Sequence, residues 1–319
     1  MLSRTADNLF WLARYMERAD FVARIVEATQ RLAALPNNYS DTGTEWESAL
    51  EASGAAEGFH ETKAAMEEAN VVEYLTFAAD NPSSIRNCIE SARANARGVR
   101  TALTVEVWES INGAWIELKR FEKGNLASGR YDREDLSRFL EFVKRISLDY
   151  DGATHRTMLR NEAYWFSRLG LYIERADNTA RILDVKYHVL LPETETIGGS
   201  LDYFQWTAIL RAVSALTAYH WVYRESIKPW LIADLLIRRM EMPRSLIACY
   251  DNIARFLDEI GKGETEPGRA QQFAHQIMAR LEQATIKDIF KIGLHEFITG
   301  FVEDNSLLGQ TISEQYLLV

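Results

Sequence analysis

Apolar residues recur along this chain at helical spacing and not in the alternation of a half-buried strand. Residues 4–35 and 159–190 are dense in Leu, Ala, Ile, Val and aromatic side chains and predict two long helices. Segments 133–149 and 269–284 read as amphipathic helices, and 286–316 as another, broken near Asn305. Asn81-Pro82 ahead of S-S-I-R-N-C-I-E-S-A-R predicts a helix start, with Asn81 as the cap and proline at the first helical position. With six prolines and 17 glycines in 319 residues, long helices meet few breakers. No stretch predicts a strand, so the expected fold class is all-α.

The pattern also repeats. Residues 1–26 and 158–183 are identical at 12 of 26 positions, and the shared core is Y-M-E-R-A-D-F-V-A-R-I (15–25) against Y-I-E-R-A-D-N-T-A-R-I (172–182). Further matches follow at slightly different offsets: Pro36 with Pro192, Trp46 and His60 with Trp206 and His220, and Pro82, Ser84 and Cys88 with Pro243, Ser245 and Cys249. Near the ends, Gly152 and Thr154 match Gly309 and Thr311. Self-similarity on this scale predicts two tandem helical repeats, 1–157 and 158–319, packed with pseudo-twofold symmetry into a bundle that forms one compact unit.

The repeated helix carries charges in apolar company. On a wheel of about 100° per residue, Glu17, Asp20 and Arg24 share one face, with Arg14 and Arg18 at its edge. The rest is apolar or aromatic, so the helix is expected to be buried nearly all round. Buried charges need partners, because an unpaired one costs several kcal/mol. Asp20 with Arg24, and Asp177 with Arg181, are acid-before-base pairs four residues apart. Glu17 and Arg18 diverge on the wheel. The expectation is therefore reciprocal pairing, Glu17 with Arg175 and Glu174 with Arg18. Such a network has two readings. As structure, it fixes the register of two helices. As a site, Glu17 or Glu174 serves as general base while Arg18, Arg24, Arg175 and Arg181 clamp carboxylates.

Composition narrows the function class. The net charge of −10 argues against a nucleic-acid binder, which needs a basic face. The longest uncharged run, 212–223, is too short to span a membrane. Asp7 interrupts any export signal, and two cysteines fit neither a disulfide framework nor a metal set, so a reduced cytoplasmic setting is expected. Eight tryptophans keep a homo-oligomeric structural role open.

Other candidates are weaker. Arg93, Arg97 and Arg100 form one stripe that the second half lacks. They make either an anion site or a solvated face with Glu90 as partner. Glu57-x-x-His60 has the spacing of a bundle metal pair, but its counterpart is Thr217 and His220, so no metal is expected. His295-Glu296 reads as a packing pair, and His155 as following a turn at Gly152. G-K-G-E-T-E-P-G lacks phosphate-loop spacing, and no other cofactor is expected.

The doubled E-R-A-D-x-x-A-R-I helix resembles the Alpha-E domain family, with support from N-P-S-S-I-R-N-C-I (81–89), A-R-A-N-A-R-G-V-R (92–100), E-V-W-E-S-I-N (106–112) and G-L-H-E-F (293–297). Ala13, where the second copy has Gly170, departs from the repeat and relaxes any close-packing argument there. The resemblance implies a bacterial, all-helical, duplicated protein in the company of ATP-grasp ligases and transglutaminase-like proteins of a peptide synthesis or modification system. On that basis the chain is expected to be an accessory or partner-binding component, with an enzyme of the same pathway as the alternative.

Overall fold

A computed structural model describes residues 1–34, 42–123, 132–188 and 200–317. Among these residues there are fifteen α-helices and no strand, and one isolated bridge joins Lys262 and Glu264. The helices are α1 (Ser3–Ala33), α2 (Thr42–Ala52), α3 (Ala56–Thr62), α4 (Glu68–Thr76), α5 (Ile85–Gly98), α6 (Val105–Glu122), α7 (Arg133–Thr157), α8 (Glu162–His188), α9 (Ser200–Ala212), α10 (Leu216–Tyr223), α11 (Pro229–Ala233), α12 (Leu246–Ile260), α13 (Arg269–Gln283), α14 (Ile286–Ile292) and α15 (Leu294–Tyr316). A 3-10 turn precedes α6, and a π turn, Asp234–Arg238, continues α11.

The two long helices, α1 and α8, lie against each other at the centre. They run parallel and in register. The Met1 amino group meets Glu162, Phe10 faces Gly170, Glu17 meets Arg175, and Ile25 and Ile182 line one cleft. α5 and α7 pack on α1, with α6 across both; α12 and α15 pack on α8, with α13 across both. α2 and α9 each touch both central helices. Most apolar residues of α1 and α8 are therefore buried, while Trp11, Tyr15, Trp165 and Tyr172 are partly exposed. Leu9, Leu12, Met16, Val22, Leu169 and Leu183 are sealed from solvent, each contributing about 1.5–3 kcal/mol by burial.

Local signals set several boundaries differently from the pattern alone. The cap of α5 is Ser84, whose hydroxyl accepts from Asn87 N, and not Asn81. Asn81 instead folds back: its amide donates to Tyr74 O, and its oxygen takes Ser83 N. The last helix breaks at Gly293, at φ 116, and not at Asn305. Asn305 stays inside α15 because its side chain is satisfied across the core, accepting from the Tyr250 hydroxyl at 2.9 Å and donating to Ile173 O at 3.2 Å. Gly152 is helical within α7, so His155 follows no turn. Pro36 and Pro192, with the loops around them, fall outside the described residues.

The Ala13/Gly170 difference matters more than the sequence suggests. A side chain on Gly170 would overlap the carbonyl oxygen of Phe10, a backbone atom that cannot swing away. Gly170 is thus a point where the backbones of α8 and α1 come too close for a side chain. Gly170→Ala is expected to cost about 3 kcal/mol, the upper range for an overpacked core. Ala13→Gly should cost only about 1 kcal/mol, the propensity term. Urea unfolding of the two variants checks the contrast.

Candidate functional site

The charges of α1 and α8 meet halfway along their contact. Glu17 and Glu174 are each only 2% exposed. Arg175 donates through Nε and Nη2 to the two oxygens of Glu17, at 3.0 and 2.9 Å. Arg18 grips Glu174 in the same way, at 2.6 and 3.1 Å. Each Glu-Arg dipeptide thus supplies the acid for one pair and the base for the other, across the helix–helix contact. The planar fork matches the carboxylate and fixes its orientation.

Each carboxylate also takes a second guanidinium, from a different source. Arg14, one turn before Arg18, donates to Glu174 at 2.8 Å and stacks over Trp11 at 4.7 Å. Arg244, just before α12, reaches Glu17 at 2.6 Å and Asp20 at 2.9 Å. The main chain of Arg244 is itself held, since its carbonyl accepts from Thr179 Oγ1. At an offset of 161 residues Arg244 corresponds to Ser83, whose hydroxyl lies 3.4 Å from Arg18 Nη1.

The flanking pairs extend the seam. Arg24 binds Asp20 at 2.7 Å and reaches Ser214 Oγ at 2.7 Å. Arg181 binds Asp177 at 2.6 Å and lies beside Gly54. Gly54 and Ser214 both have positive φ, 66° and 56°, a conformation that ends one helix and starts the next without lengthening the turn.

A family model whose description reads "a predicted alpha-helical domain with a conserved ER motif" matches residues 1–317. The chain belongs to the Alpha-E family. No curated protein and no solved structure matches it. In this Alpha-E chain the two Glu-Arg dipeptides, 17–18 and 174–175, are the residues that cross-pair the central helices.

The electrostatics follow from that geometry. Burial pushes the Glu17 carboxyl up, but Arg175 and Arg244 outweigh it and hold it at about 2. Burial against Arg18 and Arg14 leaves Glu174 at about 2 as well. Attraction to Glu174 raises Arg18 despite its burial, and Glu17 likewise raises Arg175 against a larger desolvation penalty. Cys88 and Cys249 flank the two pairs, and burial lifts both thiols to about 12, so they are inert at neutral pH. One loose end remains in the seam: Asp20 Oδ1 is buried without a hydrogen bond.

The remaining candidates scatter. Arg93 stacks on Trp115 at 3.9 Å and donates to Asn112 at 3.0 Å; Arg100 lies over Trp108 at 5.3 Å; Arg97 is exposed. Glu90 does not serve this stripe. It faces Lys119 and Arg86, because α6 presents Lys119 one helical turn beyond Trp115. His60 bonds Glu47, and Glu57 points to solvent. His295 meets Asp184 at 2.6 Å, and His155 approaches the Tyr164 hydroxyl at 3.3 Å. Among the described residues, no three His, Cys, Asp or Glu converge as metal ligands, and no helix is long and apolar enough to cross a membrane. Clefts among the described residues lie elsewhere. One, between α1, α2, α8 and α9, holds about 40 Å³; another, about 210 Å³, separates α13 from α15 beside Arg280 and Asp304. Neither is lined by Glu17 or Glu174.

Two members of the seam are not predicted by the sequence reading. Arg14 sits on the charged edge of the wheel, yet its partner is on another helix. Arg244 gives one signal, an arginine where the matching position of the first half has serine.

Removing one partner from such a seam strands the other. Glu17→Gln and Glu174→Gln are each expected to cost about 3–5 kcal/mol in denaturant unfolding. Adding Arg18→Met to Glu174→Gln should recover part of that loss, since an apolar replacement leaves less charge unpaired. The pH dependence has a definite sign. Both carboxyls are depressed, so their stabilisation is complete above the unfolded value of 4.5 and is lost as pH falls towards 2. At roughly 3 kcal/mol each, the wild type should lose stability steeply over that window. A Glu17→Gln, Glu174→Gln double variant should show a flatter profile in acid titration followed by circular dichroism.

Proposed function

We propose that this protein is a non-catalytic helical accessory component of a bacterial, cytoplasmic peptide synthesis or modification system. In this reading it is built from two copies of one unit, 1–157 and 158–319, and binds an ATP-grasp ligase, a transglutaminase-like enzyme or their peptide substrate. The observation that carries it is the state of the two central carboxylates. A general base works best with a pKa near the working pH, whereas Glu17 and Glu174 sit at about 2 and spend both oxygens on guanidiniums. The enzyme alternative requires one of them to leave its arginines and gain a proton.

The binding surface in this reading is the face where α5 meets α6. Arg93 and Arg100 are braced on Trp115 and Trp108, and Arg97, which lies between them in sequence, is exposed. Arginine and tryptophan together are favoured as interface anchors, and a guanidinium suits a peptide carboxylate.

The test is a pull-down of the tagged chain against the ATP-grasp and transglutaminase-like proteins, paired with their activity assay. Arg97→Glu is expected to weaken capture about tenfold without changing thermal stability. Glu17→Gln should lower thermal stability and leave capture intact below its melting point. A folded Glu17→Gln variant that captures its partner normally but abolishes product formation would favour the enzyme reading.

A further inference from the structure

Two surfaces away from the seam and the α5–α6 face are opposite in character. The first is the unit formed by α10, α11 and the loop between them. Trp221 is 77% exposed and Trp230 49%, with Val222 beside them at 43%. Trp221 is the most exposed aromatic side chain among the described residues, and a cluster of large apolar side chains left in water marks a contact surface. The loop is not slack. The Tyr219 hydroxyl donates to Ser226 O at 2.8 Å and accepts from Lys228 N at 3.0 Å, and the Lys228 ammonium lies 5.6 Å from the Trp230 ring. Residues 216–241 carry four arginines and lysines against three acids, in a chain with a net charge of −10; Lys228 pairs with Glu225, Arg238 and Arg239 pair with Asp234, and Arg224 is exposed.

The second surface is the unit of α3, α4 and their connecting loop. Glu57, Glu61, Glu67 and Glu73 are all exposed there. Residues 51–80 hold seven carboxylates and one lysine. The two units end their first helix alike, with Lys63 and Arg224 both in the left-handed region at φ 57 and 52. The backbone turn is thus shared, while the surfaces are acidic on one unit and aromatic and basic on the other.

We propose that these surfaces are the two halves of one contact between copies of this chain: the acidic α3–α4 unit of one molecule docks on the aromatic, basic α10–α11 unit of the next. The charge match is present within the chain itself, so the occupant need not be sought elsewhere. The tryptophans supply apolar area at the centre, and Arg224 and Lys228 set orientation and on-rate against the carboxylates. Because the two surfaces differ, the contact is head-to-tail, and it propagates into a ring or a filament instead of stopping at a twofold dimer. This contact is independent of the partner-binding reading above, since it uses neither the α5–α6 face nor the seam.

The test is light scattering and sedimentation of the full chain over about a hundredfold concentration range, in about 50 mM and about 500 mM salt. The expected result is concentration-dependent assembly beyond a dimer at low salt, weakened at least about tenfold at high salt. Arg224→Glu with Lys228→Glu should give a monomer, as should Glu61→Lys with Glu67→Lys, and mixing the two reversed proteins should restore assembly. Trp221→Ser and Trp230→Ser, at exposed positions where folding is not at stake, should also weaken assembly. A monomer throughout at low salt overturns the proposal, as does assembly that ignores both charge reversals. Capture of the monomer by anionic lipid vesicles, lost in the tryptophan variants, would reassign the α10–α11 surface to a membrane.

Discussion

Two carboxylates placed in the middle of two helices that are apolar all round cannot be buried alone. Each must be neutralised by a guanidinium that the helix itself cannot aim at it, because the adjacent arginine in the Glu-Arg dipeptide points away round the wheel. The only nearby helix carrying the same dipeptide is the other one. Hence α1 and α8 run in parallel register, with Arg175 on Glu17 and Arg18 on Glu174. Sliding either helix by one residue would strand four charges. The parallel course of the two helices, the approach at Gly170 and the wrapping of α5, α7, α12 and α15 around them all follow from this fixed register.

The seam is crossed but not identical on its two sides. Glu174 draws its second guanidinium from its neighbour α1, through Arg14; Glu17 draws it from the segment before α12, through Arg244. The Arg244 arrangement ties a third element to the centre and adds Asp20 to the same cluster. A network of this kind is weak evidence for stability, because desolvating so many charges costs nearly what their attraction returns. It is much stronger evidence for specificity: any misregistered packing leaves a buried charge without a counter-charge. That physics gives the ER motif a structural role at the contact of the two central helices.

The accessory role proposed above puts function on the outside of the molecule. The interior arginines are committed to carboxylates, and the carboxylates to arginines. Exposed features include the arginines of α5 and the turn after it, braced on tryptophans of α6, and the contrasting surfaces of α3–α4 and α10–α11. The proposal that they bind other proteins rests on the closed pairing and low pKa of Glu17 and Glu174.

Much of this was legible from residue order. Helical periodicity sets the all-α class, and the doubled E-R-A-D segment names the central helices and their cross pairs, because burying charge leaves few solutions. The i,i+4 pairs Asp20–Arg24 and Asp177–Arg181 are local and were readable for the same reason. Other features depended on neighbours that no local pattern encodes. Arg244 reaches Glu17 over a separation of 227 residues, and Arg14 finds a carboxylate on another helix. Asn305 continues a helix because Tyr250 and Ile173 satisfy it, and Gly170 matters because Phe10 lies against it. Periodicity reports which face of a helix is buried. Only the packed structure decides which atom meets it there, since that depends on the approach of segments far apart in the chain.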